Sequence, residues 1–325
     1  MKTIHWGILG AGRIAEKFAA DFSAVGNGKI VAVGSRSLDN AKKFAQKYNI
    51  GKWHGSYQDL VQNPEVDIIY IATPHNFHFE QVELCLTNGK HVLCEKPVTV
   101  NALQLEKLMH LAKAKNLFFM EAMWTPFLPA VQKVMQWLGE GKIGTVKMIH
   151  AEFGYAGNAD PKNRLYNPEL AGGALLDIGI YPLTMAEMVA QSKIETLQVQ
   201  SVLSTTGIDE TNALQIKYQN GILAQLRSTF TAQLKNEAII YGTKGMIVIP
   251  SFWMSKKAQI TNDNGEEIFI DESTTLGYNH EAQHVVEMLQ LGKTESDIMP
   301  LSRSLQMMRL MDAIRKEMNL KYPFE

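Results

Sequence analysis

Trp6-Gly7-Ile8-Leu9-Gly10-Ala11-Gly12-Arg13-Ile14-Ala15 decides how this chain is read. An apolar run from Thr3-Ile4-His5 passes into G-x-G-x-x-A, and an amphipathic segment follows. At a strand–helix junction the first glycine permits a tight turn, and the second lets the backbone approach a pyrophosphate. The small third residue lets helix and strand pack closely, while N–H groups at the helix start face the phosphate. Glycines also end strands for structural reasons alone. Placement in the first strand–turn–helix unit favours dinucleotide binding through Gly10, Gly12, Arg13 and Ile14.

Working outward, apolar runs at 4–9, 30–34, 67–72, 91–94 and 117–120 alternate with helix-length segments near 13–24, 38–48, 76–88 and 101–114. Asn101 is placed to cap the last of these. Such alternation predicts parallel strands with helical crossovers, a doubly wound α/β sheet of the Rossmann type. After Glu121 the rhythm changes. A helix near 128–139 precedes strand-like stretches at 145–153, 197–206, 212–219, 222–231, 237–241 and 246–250. Asn220-Gly221 reads as a hairpin turn with positive φ angles. Amphipathic segments at 279–291 and 302–318 close the chain. The expectation is a nucleotide-binding domain over 1–122 and a C-terminal α+β domain over 123–325 with a large, mostly antiparallel sheet. The hinge is expected near 121–125, and the second domain is assigned substrate binding and oligomerisation.

Composition narrows the function classes. The 325 residues carry 32 basic and 33 acidic side chains, so no basic excess speaks for nucleic acid. No stretch approaches the ~20 continuous apolar residues of a membrane span, and no signal-peptide pattern precedes the first strand. Two cysteines, Cys85 and Cys94, suit a reducing, cytoplasmic setting. A small-molecule enzyme is expected.

The end of the second strand selects the nucleotide. An acidic residue about 20 positions past the fingerprint would bond the ribose 2′-hydroxyl of NAD. Here Gly34-Ser35-Arg36-Ser37 stands instead, with no carboxylate to repel a 2′-phosphate. Arg36 offers a guanidinium fork, and Ser35 and Ser37 offer hydroxyls, so NADP (NADPH) is expected.

Further along stand Ala72-Thr73-Pro74-His75-Asn76-Phe77-His78 and Cys94-Glu95-Lys96-Pro97. Ala171-Gly172-Gly173-Ala174-Leu175-Leu176-Asp177-Ile178-Gly179-Ile180-Tyr181 follows in the second half. With the glycine loop, these resemble the Gfo/Idh/MocA family of oxidoreductases over nearly the whole chain, the Glu-Lys-Pro signature being the most specific element. Many members have histidine where Tyr181 stands. The tyrosine form, with Glu121-Ala122-Met123-Trp124-Thr125, is similar to the branch of dimeric dihydrodiol dehydrogenase, NADP-dependent xylose dehydrogenase and glucose-fructose oxidoreductase. The resemblance implies a Rossmann domain beside an open-faced sheet used for dimerisation. It also implies a cis Lys96–Pro97 bond and hydride transfer between NADP(H) and an aldose, polyol or cyclic diol. A sugar–sugar transhydrogenase with tightly held NADP and a non-catalytic NADP(H) sensor are the alternatives.

Oxidising a carbinol requires a group that takes the hydroxyl proton as hydride leaves. Tyr181 is the acid/base candidate, Lys96 tunes it and anchors substrate, and Asp177 accepts a substrate hydroxyl or complements a helix N-terminus. Thr73, His75, His78, Glu95 and Lys96 are expected on the cofactor side, His78 either there or as a helix cap. Trp124, Phe153, Trp253 and Tyr278 either wall the pocket or pack the core. Arg164 binds substrate or forms a loop salt bridge. His280-Glu281-Ala282-Gln283-His284 matches H-E-x-x-H, yet it opens an ordinary amphipathic helix without a third ligand, and no metal is expected.

Overall fold

The computed structural model describes residues 2–157, 160 and 163–325. By contact, the chain forms two compact units, 1–124 with 274–308 and 125–273 with 309–325.

The first unit holds six parallel strands: β1 (Ile4–Leu9), β2 (Gly28–Gly34), β3 (Lys52–His54), β4 (Ile68–Ile71), β5 (His91–Glu95) and β6 (Phe119–Ala122). They lie in the order β3-β2-β1-β4-β5-β6, and the order reverses between β1 and β4. Ligands of open α/β sheets bind outside the strand carboxyl ends at that reversal. The crossovers are α1 (Arg13–Asp21), α2 (Leu38–Lys47), α3 (Tyr57–Val61), α4 (His78–Thr87) and α5 (Ala102–Lys115). Asn101 caps α5 as expected, its side chain accepting from Gln104 N at 3.0 Å. All four β4 residues are buried, as a strand covered on both faces requires. Trp6 anchors the core with Phe18 and Phe22 at ring centroid distances of 5.7 and 5.4 Å, and Phe18 stacks on Tyr70 at 3.8 Å. Cys85 and Cys94 are free and fully buried, and burial pushes both thiols up.

The second unit is built on α6 (Pro129–Gly139), β7 (Val146–Gly154) and α7 (Ile180–Ala190). The strands β8 (Ile194–Leu203), β9 (Asp209–Tyr218), β10 (Leu223–Thr229), β11 (Glu237–Gly242), β12 (Gly245–Pro250), β13 (Lys257–Asn262) and β14 (Gly265–Ile270) follow. The sheet order is β14-β13-β12-β11-β7-β10-β9-β8; the β7–β10 pair is parallel and the other neighbouring pairs are antiparallel. Helix α6 packs against β12–β14 and α7 against β7 and β10. Along β9 burial alternates from Asn212 to Tyr218, as a sheet with one solvated face demands. The last helices are α8 (Tyr278–Gln290) and α9 (Leu301–Glu317). The doubly wound parallel sheet and the large, mostly antiparallel sheet expected from the sequence are the ones observed.

Local differences have physical reasons. The Asn220-Gly221 hairpin has positive φ only at Gly221 (+85°), not at both residues. Gly221 N donates to Tyr218 O and Tyr218 N to Ile222 O, the pattern of a type I turn followed by a glycine bulge. The segment Pro168–Ala190 has the length and hydropathy of a membrane span, but 89% of its apolar window is buried inside the fold. Before Pro182 the chain makes a π turn over Leu175–Gly179. Proline lacks an N–H and crowds the carbonyl four residues back, and a wider turn relieves that crowding before α7 continues.

Candidate active site

In the first unit the glycine loop is built to receive an anion. Gly10 has φ +101°, and a Cβ there would stand 3.0 Å from Thr73 Cγ2. A Cβ on Gly12 would meet nothing within 4 Å, so open space lies over the loop. Gly12 caps α1 without any side-chain hydrogen bond, leaving the first N–H groups to a ligand. Ala15 is fully buried, the close helix–strand packing expected of the third small residue. These features fit a dinucleotide pyrophosphate; Arg13 and Ile14 form the first turn of α1.

Beyond β2, Arg36 is exposed and its guanidinium lies over the Phe77 ring at 5.9 Å. Ser35 Oγ accepts from Ser37 N at 3.3 Å, and Ser37 Oγ caps α2 by accepting from Asn40 N at 3.3 Å. Ser37 therefore has a structural duty, with its hydroxyl proton left to donate. Thr73 donates its hydroxyl to Gln81 Oε1. His75 is buried, opening the single turn before α4. His78 is fully buried, its Nδ1 lying 2.8 Å from Pro97 O and its Nε2 2.9 Å from Thr73 O. That ring ties the loop after β4 to the loop after β5.

The Lys96–Pro97 peptide is cis. Glu95 is buried beneath it, accepting from Tyr70 OH at 2.5 Å and from Lys96 N at 3.2 Å. Burial holds the Glu95 carboxyl above its usual range, against the pull of the Tyr70 hydrogen bond and the Lys96 charge. Glu121, also buried, accepts from Val98 N at 3.0 Å and steadies the backbone just past Pro97. Tyr70 is a support that no motif announced, and Glu121, which opens the Glu121–Thr125 stretch, had been given no role. Trp124 and Tyr278 stack on one another at 4.3 Å and are both buried. Asp21 accepts from the backbone N–H groups of Leu276, Gly277 and Tyr278 at 2.9, 2.8 and 3.0 Å. The His280–His284 segment opens α8. Glu281 is fully buried with neither carboxyl oxygen hydrogen-bonded to any described residue, and burial together with the Glu95 charge holds it well above the carboxylate range. His284 Nε2 lies 2.8 Å from Ser296 Oγ. Among the described residues no group of three or more His, Cys, Asp or Glu is arranged to hold a metal.

In the second unit, the π turn carries Asp177 and α7 carries Tyr181 near its start. Arg164 Nη2 donates to Asp177 Oδ1 at 2.9 Å, so the loop ion pair forms. Tyr181 is 8% exposed, and its ring lies 5.9 Å from that of Phe153. Phe153 in turn stacks on Trp253 at 3.7 Å, with the planes 12° apart. Tyr155, which the sequence reading did not single out, feels the Asp177 charge; burial and that charge push its hydroxyl up to about 12. Its position just past β7, next to Phe153 and Gly154, was the only available signal.

Known proteins share this architecture. Residues 4–123 match the oxidoreductase family model with an NAD-binding Rossmann fold (GFO_IDH_MocA), and 131–248 match the GFO/IDH/MocA C-terminal domain. Trans-1,2-dihydrobenzene-1,2-diol dehydrogenase of Xenopus laevis is 39% identical over 328 residues, covering 98% of this chain and 99% of its own. The Homo sapiens enzyme of that name is 35% identical, with 98% of each chain covered. A 3-ketoreductase from Actinomadura kijaniata, solved with NADP and TDP-benzene, superposes with a TM-score of 0.85 at 25% identity, covering 97% of this chain and 98% of its own. An aldose-aldose oxidoreductase from Caulobacter crescentus, complexed with glycerol, shares the fold with a TM-score of 0.89 at 22% identity, 98% of each chain being covered. With diol dehydrogenases matching it end to end and a Rossmann loop shaped for a nucleotide, the chain belongs to the Gfo/Idh/MocA family of oxidoreductases.

Proposed function

We propose that this protein is an NADP-dependent dehydrogenase that oxidises a hydroxyl group of a cyclic trans-diol or an aldose. The observation that carries the reading is the end-to-end match to enzymes named for oxidising trans-1,2-dihydrobenzene-1,2-diol. Gly10, Gly12, Arg13 and Ile14 hold the pyrophosphate, and Ser35, Arg36 and Ser37 receive the 2′-phosphate. Thr73, His75, His78 and Glu95 shape the loops around the nucleotide, Thr73 and His78 through the hydrogen bonds described above. Bound NADP supplies the hydride acceptor. Tyr181 takes the carbinol proton, and the Lys96 ammonium favours its phenolate and holds the substrate oxygen. Asp177, steadied by Arg164, accepts a second hydroxyl of the substrate. Phe153 and Trp253 offer a stacked aromatic surface suited to an apolar ring face, and Trp124 and Tyr278 add aromatic bulk.

The domains act as 1–122 for the nucleotide and 123–325 for substrate and assembly. The assembly is a homodimer formed through the solvated sheet face, where Met148, Tyr241 and Met246 lie side by side in register on β7, β11 and β12 and are 40%, 37% and 38% exposed. A cytoplasmic location accords with two buried cysteines kept as thiols. The test is fluorescence titration with NADPH and NADH, followed by turnover of trans-dihydrodiols and aldoses. Tighter NADPH binding with NADP-linked turnover supports the reading. Equal affinity for both nucleotides, or turnover retained by Tyr181→Phe within tenfold of wild type, overturns the corresponding assignment.

A further inference from the structure

Asp209 opens β9 and is fully buried. Its Oδ2 accepts two hydrogen bonds of 2.6 Å, from Leu175 N and from Asn212 Nδ2. Leu175 begins the π turn that carries Asp177 and leads into the turn bearing Tyr181. The first N–H groups of any helical segment lack partners within it. Here one is taken by a carboxylate 34 residues away on a neighbouring strand.

Other groups fasten the same short segment. Asn212 Nδ2 also donates to Ser228 Oγ on β10 at 3.3 Å, and Tyr322 OH donates to Gly172 O at 2.9 Å. Gly173 has φ +133°, and a Cβ there would stand 2.2 Å from Asp209 Oδ1, so only glycine admits the carboxylate this close. At the far end of the π turn, a Cβ on Gly179 would meet Ser228 Oγ at 3.0 Å. Residues 172–179 are thus pressed against β9 and β10, with one charged group among the fasteners.

We propose that Asp209 is a positioning residue for the reaction: by holding Leu175 N it sets the rotation and depth of the turn that presents Asp177 and Tyr181. This rests on the roles proposed above for those two residues. Oδ1 of Asp209 has no hydrogen-bond partner among the described residues. Burial pushes the carboxyl up to about 6, opposed by the Asn212 and Leu175 hydrogen bonds and the Arg315 charge. Above that pH it is an ionised acceptor, and charge-assisted hydrogen bonds are the strong ones. Tyr322 faces the same carboxylate as a neutral phenol, and Arg315 is itself paired with Asp312 and Glu325.

The test uses the full chain at pH 8 with NADP and trans-1,2-dihydrobenzene-1,2-diol, alongside amide hydrogen exchange over residues 173–183. Asp209→Ala is expected to lower kcat at least tenfold while NADPH affinity stays within twofold, and to speed exchange of the Leu175 amide at least tenfold. Asp209→Asn keeps an acceptor for Leu175 and is expected to recover kcat to within about threefold of wild type. A kcat within twofold of wild type in Asp209→Ala, or unchanged Leu175 exchange, overturns the proposal. If Asp209→Ala does not fold, Asn212→Ala removes the second bond on Oδ2, and unchanged kcat and Leu175 exchange in that variant overturn it equally. If wild type leaves the diol untouched, the substrate reading fails while the exchange arm still decides the anchoring.

Discussion

Arg36→Ala separates the two nucleotides by a margin that can be worked out in advance. Arg36 is exposed at the end of β2, over the Phe77 ring at 5.9 Å, between two serines engaged in local hydrogen bonds. Truncation removes two contributions. The packing over Phe77 is worth about 0.5–1 kcal/mol at an exposed site, and its loss acts on both nucleotides alike. A hydrogen bond to a charged partner is worth about 1.5–3 kcal/mol, and only NADPH has the 2′-phosphate to receive it. Exposure and salt reduce the second contribution, since charges in water are screened beyond about 8 Å at physiological ionic strength. The difference predicts NADPH binding weakened about 10- to 100-fold and NADH by less than about fivefold. Fluorescence titration at two salt concentrations reads both constants, and the NADPH loss should shrink at the higher one. Equal losses for the two nucleotides would refute the 2′-phosphate assignment and leave Arg36 as a packing residue.

Three further perturbations test other parts of the structure. Asp21→Ala strips three backbone N–H groups at the start of α8 of their acceptor, and urea denaturation should show a loss of about 2–4 kcal/mol, with Asp21→Asn in between. Glu281 binds its proton more tightly folded than unfolded, so its ionisation erodes stability as pH rises above the unfolded value of about 4.3. Glu281→Gln should then melt at or above the wild-type temperature at pH 8 and lose that advantage at pH 4; the reverse order would mean a paired, ionised carboxylate. Tyr241→Glu places a charge in the exposed Met148–Tyr241–Met246 row of the proposed dimer face; wild type should sediment as a dimer and the variant as a monomer with secondary structure retained, whereas a dimeric variant would move the interface elsewhere and a monomeric wild type would refute the dimer.

What the sequence disclosed depended on how local each signal was. The glycine loop, the Asn101 cap and the strand–helix rhythm of the first 120 residues are contained within windows of a few turns, and their positions agree with the structure to within a few residues. β3 escaped notice because three residues at a sheet edge show no alternation. β13 and β14 were overlooked although Asn264-Gly265 joins them: burial alternates only along β13, while β14 is exposed at Glu266, Glu267, Ile268 and Ile270 and shows no clean alternation. Lys96 and Tyr181, the residues proposed for the chemistry, stood inside recognisable motifs. Tyr155 and Asp209 stood in none, and their importance comes from tertiary neighbours: Asp177 for one, Leu175 for the other. Glu281 is the opposite case. The local pattern matched a metal motif only in letters, while tertiary packing set the side chain in the core without a hydrogen-bond partner among the described residues.

Both cysteines lie in the first unit, Cys85 on α4 and Cys94 on β5, fully covered and with burial opposing the thiolate. A thiol reagent reacts with the thiolate, so labelling in the native state waits for the surrounding structure to open. The chain thus carries an internal reporter for one half of itself. Tryptophan fluorescence blends Trp6, Trp53 and Trp124 with Trp137 and Trp253, and so follows both halves together. Comparing labelling rates with the fluorescence transition, with and without NADPH, would measure how much of the nucleotide's stabilising effect stays in the Rossmann sheet and how much reaches the rest of the chain.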